Sequence, residues 1–247
     1  MGNREAELQP EYHFTDVSFE GIAVVSDHRQ ARLSLLSTGM DLHSWRYRHV
    51  KRMIDVLGAL GMIAVTVIPG FLIAAAIVLT SKGPVFYREV RIGRQGREFR
   101  IWKFRSMCQK SEWHELVKTA PSSGTILHWR IHKNHHDPRI TPVGGFLRRW
   151  SLDELPQLLN VLAGHMSLVG PRPVVEAEVP LYGHLQHFYL AAVPGLSGLW
   201  QVSGRSDLSF AVRANLDAWY VRNWSLSRDF GILLRTVPAV LGRVGAR

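Results

Sequence analysis

Cysteine is almost missing from this chain: Cys108 stands alone among 247 residues. An internal disulfide is therefore impossible, which fits a reducing compartment. We assign the thiol no role. Signal-peptide character is not expected of the opening residues either. The first twenty residues carry Arg4, Glu5, Glu7, Glu11, Asp16 and Glu20 in place of a basic start and an apolar core. Neither Gly-x-Gly-x-x-Gly nor Gly-Lys-Ser/Thr occurs, so there is no dinucleotide fingerprint and no P-loop. No internal repeat is evident. Acidic residues are outnumbered, 20 against 30 Lys and Arg, leaving a formal net charge of +10. So basic a chain meets anions: nucleic acid, an acidic membrane surface or phosphorylated substrates. The basic residues form no RRM, zinc-finger or helix-turn-helix pattern, which argues against nucleic acid. The 46% hydrophobic content suffices for one substantial domain or two small ones.

Charge is absent from Val56 to Thr80. A straight helix of that length would cross a bilayer core of roughly 30 Å. Two features oppose a crossing. Pro69-Gly70 sits near the middle, where proline kinks or breaks a helix. Both flanks are basic: Arg46, Arg48, Lys51 and Arg52 precede the run, and Lys82, Arg88, Arg91, Arg94 and Arg97 follow it. Lys and Arg favour the cytoplasmic side of a membrane segment. A re-entrant, proline-broken hairpin satisfies both ends, and we expect one.

Beyond it, structured runs alternate with turns. A short strand is expected at 21–25. Two more are expected at 84–87 and 99–104, around the turn Gly93-Arg94-Gln95-Gly96. Residues 108–137 are polar and loop-like. Leu155, Leu158, Leu159 and Leu162 mark one face of a helix that Gly164 ends. Asp207 is placed to cap a second helix running to about Trp224. Ser227 or Asp229 starts a third, interrupted by Pro238. Trp200, Trp219, Trp224 and Phe230 mix there with Arg213, Arg222, Arg228 and Arg235. That mixture suits amphipathic helices, either at a membrane interface or around a core with a basic solvated face.

The stretch Arg148-Arg149-Trp150-Ser151-Leu152-Asp153-Glu154-Leu155-Pro156-Gln157 carries the sharpest signal. Two adjacent carboxylates follow two arginines and open a helix. A carboxylate there can act as a nucleophile or hold a metal ion. Ser151 and Glu154 also have capping-box spacing, which needs no function. Pro156 disfavours a helix begun at Ser151 and points to a constrained turn before the helix proper. Arg172, between Pro171 and Pro173, stands on stiff backbone; by itself it reads equally as a guanidinium suited to a phosphate or as an exposed arginine on a rigid turn. The glycine-rich run from Gly195 ends in Arg205, and its glycines would let backbone approach an anion. Lys103 and Arg105 would share one face of a strand, which by itself reads first as a solvated sheet face. His128, His132, His135 and His136 stand among Arg130, Lys133 and Arg139, which oppose a divalent cation, so a polar loop is the reading preferred to a metal site. Asp217 and Asp229 are open to two readings: a pair supporting a cation from behind its ligands, or a helix-surface carboxylate and a helix cap.

The order of these blocks resembles the bacterial sugar transferase family, monotopic polyprenyl-phosphate sugar-1-phosphate transferases of the exopolysaccharide-initiating type. The resemblance covers residues from about 48 to 247. It rests on Lys51-Arg52 with Asp55, the proline-containing apolar run, Gly83-Pro84-Val85-Phe86 and Trp102-Lys103-Phe104-Arg105-Ser106-Met107. It continues through 137–144, 151–157, 167–173 and the glycine-rich run to Arg205. The resemblance implies an α+β, predominantly helical, monotopic membrane protein. A proline-broken re-entrant helix and amphipathic interfacial helices would surround a small cytoplasmic catalytic domain on the bacterial inner membrane. It divides the chain into a polar extension over 1–45 with no assigned role, a membrane helix over 46–82 and a catalytic domain over 83–247.

It implies that Asp153 attacks the sugar-linked phosphate of a UDP-sugar and that UMP leaves. Glu154 would ligate Mg²⁺. Lys103, Arg148, Arg172 and Arg205 would contact phosphates, with Arg105, Asp217 and Asp229 as further substrate-site positions. A polyprenyl phosphate in the lipid bilayer would accept the phosphosugar. A galactose or glucose donor is favoured; nucleic acid is no partner, and a homo-oligomer is compatible. The chain departs from the family at Ile68, where members often carry Ser before the proline. With only a short polar stretch ahead of the module, it is expected to be the family's minimal form.

Overall fold

The computed structural model describes residues 44–108, 137, 139–204 and 208–242, apart from the side chains of Arg46 and Arg48. The expected strand at 21–25, the histidine tract at 128–136, most of the 108–137 loop, Arg205 and the Asp207 cap lie outside the described residues.

The apolar run forms one helix, α1, Arg52–Thr80, entered through a π-helical turn at Arg46–Lys51. Its 29 residues would measure about 43 Å if straight. Pro69 lies inside it and does not end it. This corrects the expected break. A proline removes one N–H, and the helix can bend around that loss without stopping. Neighbouring Ile68 is 70% exposed. Most large side chains of α1 are exposed, among them Leu57, Val65, Phe71, Leu72 and Leu79. Asp55, Ala59 and Ile77 are buried, and Ile63 and Ile73 pack on the core from the same stripe.

Both ends of α1 are fixed to the same body. At its start, the Arg52 guanidinium donates to the carbonyls of Val161 (2.5 Å) and Leu162 (2.7 Å). Asp55 Oδ1 accepts from the Ser167 hydroxyl (3.0 Å) and the Leu168 N–H (2.9 Å). At its end, the buried Arg105 guanidinium donates to the carbonyls of Ser81 (2.8 Å) and Lys82. Four last-turn carbonyls of any helix lack partners, and a cation is well placed there.

Strands β1, Phe86–Ile92, and β2, Glu98–Phe104, form an antiparallel hairpin in which Tyr87 faces Lys103. Its turn holds Gln95 at φ 61°. Helix α2, Pro142–Arg149, begins at a Thr141 cap that accepts from Gly144 N–H (2.9 Å). A 3₁₀ turn over Leu152–Glu154 leads to α3, Gln157–Leu162. Gly164 follows α3 at φ +80°, a helix stop of the expected kind. Of the expected apolar face, Leu158 is buried and Leu155 and Leu162 pack against the core, but Leu159 is 47% exposed, and Gln157 and Asn160 are buried as well.

Strand β3, Ser167–Val169, pairs in parallel with β4, Gly195–Ser197. Between them lie a 3₁₀ stretch at Glu176–Leu185 and helix α4, Gln186–Ala191. Helices α5, Leu199–Ser203, α6, Phe210–Arg222, and α7, Leu226–Leu241, complete the described chain. Ser209 caps α6, and Ser225 rather than Ser227 or Asp229 caps α7. Pro238 stays inside α7. The main core joins Phe99, Leu158, Val161, Leu168, Tyr220 and Ile232, so hairpin, α3, β3, α6 and α7 close on one another. The mixed, helix-rich architecture agrees with the expectation.

Candidate active site

The acidic pair sits where the chain reverses between α2 and α3. Ser151 adopts φ 55°, ψ 21°, a left-handed conformation a non-glycine residue rarely takes. Its hydroxyl makes no cap, so the capping-box reading fails. The expected constrained turn is present. The Leu152–Glu154 turn is closed by Glu154 N–H to Ser151 C=O (3.3 Å) and Leu155 N–H to Leu152 C=O (3.2 Å). Pro156 then precedes the first residue of α3, where a missing N–H costs least.

Glu154 faces the hairpin. Lys103 Nζ on β2 donates to its Oε1 at 2.9 Å, and an Arg172 nitrogen lies 3.9 Å from the same oxygen. Burial raises the pKa of this carboxyl, but Lys103, Arg172 and the Gln157 carboxamide outweigh it and hold it at about 2. It is therefore an anion at any physiological pH. Asp153 is 9% exposed. Burial and the Glu154 charge push its carboxyl above the ordinary range, while Lys103 and Arg148 pull the other way. One carboxylate is kept ionised and its neighbour is kept basic.

A cleft opens over this turn, lined by Lys103, Glu154, Gln157, Arg172, Arg91 and Leu196. Asp153, the neighbour of Glu154 in the chain, is not part of this lining. β2 is set against α3 by Asn160, whose carboxamide accepts from Trp102 N–H (2.9 Å) and donates to Arg100 C=O (2.8 Å). The lysine after Trp102 thus meets Glu154 in register. Arg172 extends from the stiff loop that follows β3 and lies 5.7 Å over the Trp200 ring, which Arg213 approaches at 4.8 Å. The glycine run serves the fold more than a ligand. A Cβ on Gly195 would overlap Gly170 N, so the close approach of β4 to the arginine-bearing loop requires glycine there.

The expected site residues divide into groups. Asp153, Glu154, Lys103, Arg148 and Arg172 come together. Asp217 is 2% exposed; its Oδ2 accepts from Tyr182 O–H at 2.9 Å, and Oδ1 has no hydrogen-bond partner among the described residues. Burial lifts it to about 8, against smaller lowering effects of Tyr182 and Arg172. Arg105 is committed to the end of α1. Asp229 is committed to its start: it accepts from Lys51 Nζ (2.7 Å), Tyr220 O–H (2.6 Å) and Trp224 Nε1–H (3.0 Å). Gln157, Asn160 and Arg91 were not anticipated. Two amides at positions i and i+3 within a leucine-rich helix were the available signal.

A sequence model described as bacterial sugar transferase matches residues 46–243. The chain belongs to the bacterial sugar transferase family. It is 45% identical over 214 residues to a UDP-galactose-lipid carrier transferase of Erwinia amylovora, covering 85% of this chain and 44% of that protein. It is 48% identical over 195 residues to the exopolysaccharide production protein ExoY of Sinorhizobium fredii, covering 77% and 84%. An undecaprenyl-phosphate galactose phosphotransferase of Salmonella typhimurium is 44% identical over 202 residues, covering 81% and 42%. The chain thus spans under half the length of the Erwinia and Salmonella proteins and most of the Sinorhizobium one. In this family member Lys103, Arg148 and Arg172 stand around the acidic turn.

Proposed function

We propose that the protein transfers a hexose-1-phosphate from a UDP-sugar to a polyprenyl phosphate, as the first membrane step of a surface glycan. The observation that carries this reading is the acidic turn: a buried, proton-attracting Asp153 beside a permanently ionised Glu154, with Lys103 and Arg172 over it. The names of the relatives support the carrier and a galactose donor.

In this mechanism an Asp153 carboxylate oxygen bonds to the sugar-linked phosphorus. The bond from that phosphorus to the UMP oxygen breaks, and UMP leaves with the electron pair. A phosphate oxygen of the carrier then attacks the same phosphorus and releases the Asp153 carboxylate. Lys103 and Arg172 offset the diphosphate charge that would otherwise repel a carboxylate. Among the described residues no cluster of three metal-binding side chains exists. Mg²⁺ needs only one or two carboxylates when substrate phosphates complete its shell, and ionised Glu154 fits that demand. When bound, Mg²⁺ would supply further charge neutralisation at the diphosphate.

The apolar helix α1 is proposed to enter and leave the membrane by the cytoplasmic face. Its two ends are hydrogen-bonded to one body through Arg52 and Arg105, and its remaining faces are apolar and exposed. The assay is UMP release and carrier labelling from a panel of UDP-sugars, with polyprenyl phosphate and Mg²⁺. No UMP from any donor would end this reading.

A further inference from the structure

A second cavity lies away from the acidic turn. It runs between the first turn of α1 and the start of α7, over the edge of β3. Ile54, Leu168, Leu226, Phe230 and Leu233 make its apolar walls. We infer that this groove receives the leading isoprene units of the acceptor's polyprenyl chain. The inference rests on the proposed function above and names where that acceptor's hydrocarbon sits.

The floor decides against a charged occupant. Lys51 Nζ is held by Asp229 (2.7 Å) and by the Val169 carbonyl (2.9 Å). Asp55 is held by Ser167 and Leu168, and Asp229 by Tyr220 and Trp224. The ammonium at the floor is buried and already bonded, so a phosphate gains nothing here. A hydrocarbon does gain, at about 25 cal/mol per Å² of apolar surface covered.

The rims say which hydrocarbon phase the groove joins. Ile54 and Leu57 on α1 are exposed, as are Phe230 (64%), Leu234, Val237 and Leu241 on α7. On α7 these recur every three or four residues, a single apolar stripe. The groove is the deep end of a trough between two apolar helix faces. Its inner wall ends at Val169, and Arg172 follows three residues on, within about 10 Å of chain reach. A lipid phosphate at Arg172 and Lys103 would thus trail its chain into the groove, whereas a bulk lipid has no reason to place its head there.

The test uses the full chain in lipid nanodiscs. A photoreactive polyprenyl phosphate should label 226–233, and undecaprenyl phosphate should compete while excess phosphatidylglycerol should not. Equal competition by phosphatidylglycerol would make the groove an ordinary acyl-chain slot and overturn the inference. Leu233→Trp, and separately Ile54→Trp from the facing wall, should raise the KM for undecaprenyl phosphate about tenfold and leave the KM for UDP-sugar unchanged. An unchanged carrier KM in folded variants also overturns it. Absence of UMP release in the unaltered protein would instead strike the proposed function, and the labelling would still report the groove.

Discussion

At the residue scale, Asp153 and Glu154 differ in environment more than in identity. Glu154 faces a lysine and an arginine and stays ionised. Asp153 is buried beside that charge and holds a proton more tightly. A nucleophilic Asp153 works only as the carboxylate, so activity falls as pH drops through its pKa. The acid limb of kcat/KM should lie above the ordinary aspartate value of 3.8, with no second limb from Glu154. A pH–rate profile flat down to pH 4 contradicts the assignment. Asp153→Asn should cost roughly three orders of magnitude or more in turnover. Glu154→Gln should raise the Mg²⁺ requirement, read as activity against metal concentration; an enzyme fully active in excess chelator refutes the role.

Asp217 makes a separate prediction. Its carboxyl goes from 3.8 when unfolded to about 8 when folded. Because the folded value is raised, folding is unpenalised below pH 4. Stability is then lost progressively up to pH 8, as the unfolded chain ionises and the folded one resists. Asp217→Asn keeps an acceptor for Tyr182 and removes that loss. Its melting temperature relative to the unaltered protein should climb from pH 4 to pH 8; a constant difference means the carboxyl is not protonated in the fold.

At the element scale, α1 and β3 are joined by buried polar side chains, where oil-like packing alone would leave register loose. Lys51 and Asp229 form an ion pair with side chains 6% and 11% exposed. Removing one member strands the other, at a cost of about 3–5 kcal/mol. Lys51→Met should therefore lower the melting temperature sharply, and adding Asp229→Leu should restore part of it. If the double change is worse than the single one, the remaining Tyr220 and Trp224 contacts matter more than the pair. The same bonds hold the Val169 carbonyl, from which the Arg172 loop departs, so Lys51→Met should weaken activity as well.

At the scale of the whole molecule, one folded body holds both ends of an apolar helix whose outer faces are exposed among the described residues. Cysteines introduced at Arg48 and at Lys82, after Cys108 is replaced, should both react with a cytoplasmic-side reagent. Reaction of either from the periplasmic side alone means that α1 spans.

Local spacing sufficed for features set by neighbouring residues. The charge-free run, the β1–β2 hairpin, the Gly164 stop and the constrained turn before α3 are each dictated by residues a few positions apart. The acidic pair and the proline-flanked arginine were legible because their chemistry and their backbone stiffness are local. Partner choice across the chain was not. Arg105 lies two residues from Lys103, yet one guanidinium closes a helix end while the other cation meets Glu154. Asp217 and Asp229 both sit on late helices, yet one accepts from Tyr182 and the other pairs Lys51. The persistence of α1 through Pro69 was equally hidden, because a proline only lowers the cost of bending, and packing at both ends decides whether the helix continues. Charge, hydropathy and turn chemistry belong to the sequence; which buried polar group meets which is settled only when distant segments close on one core.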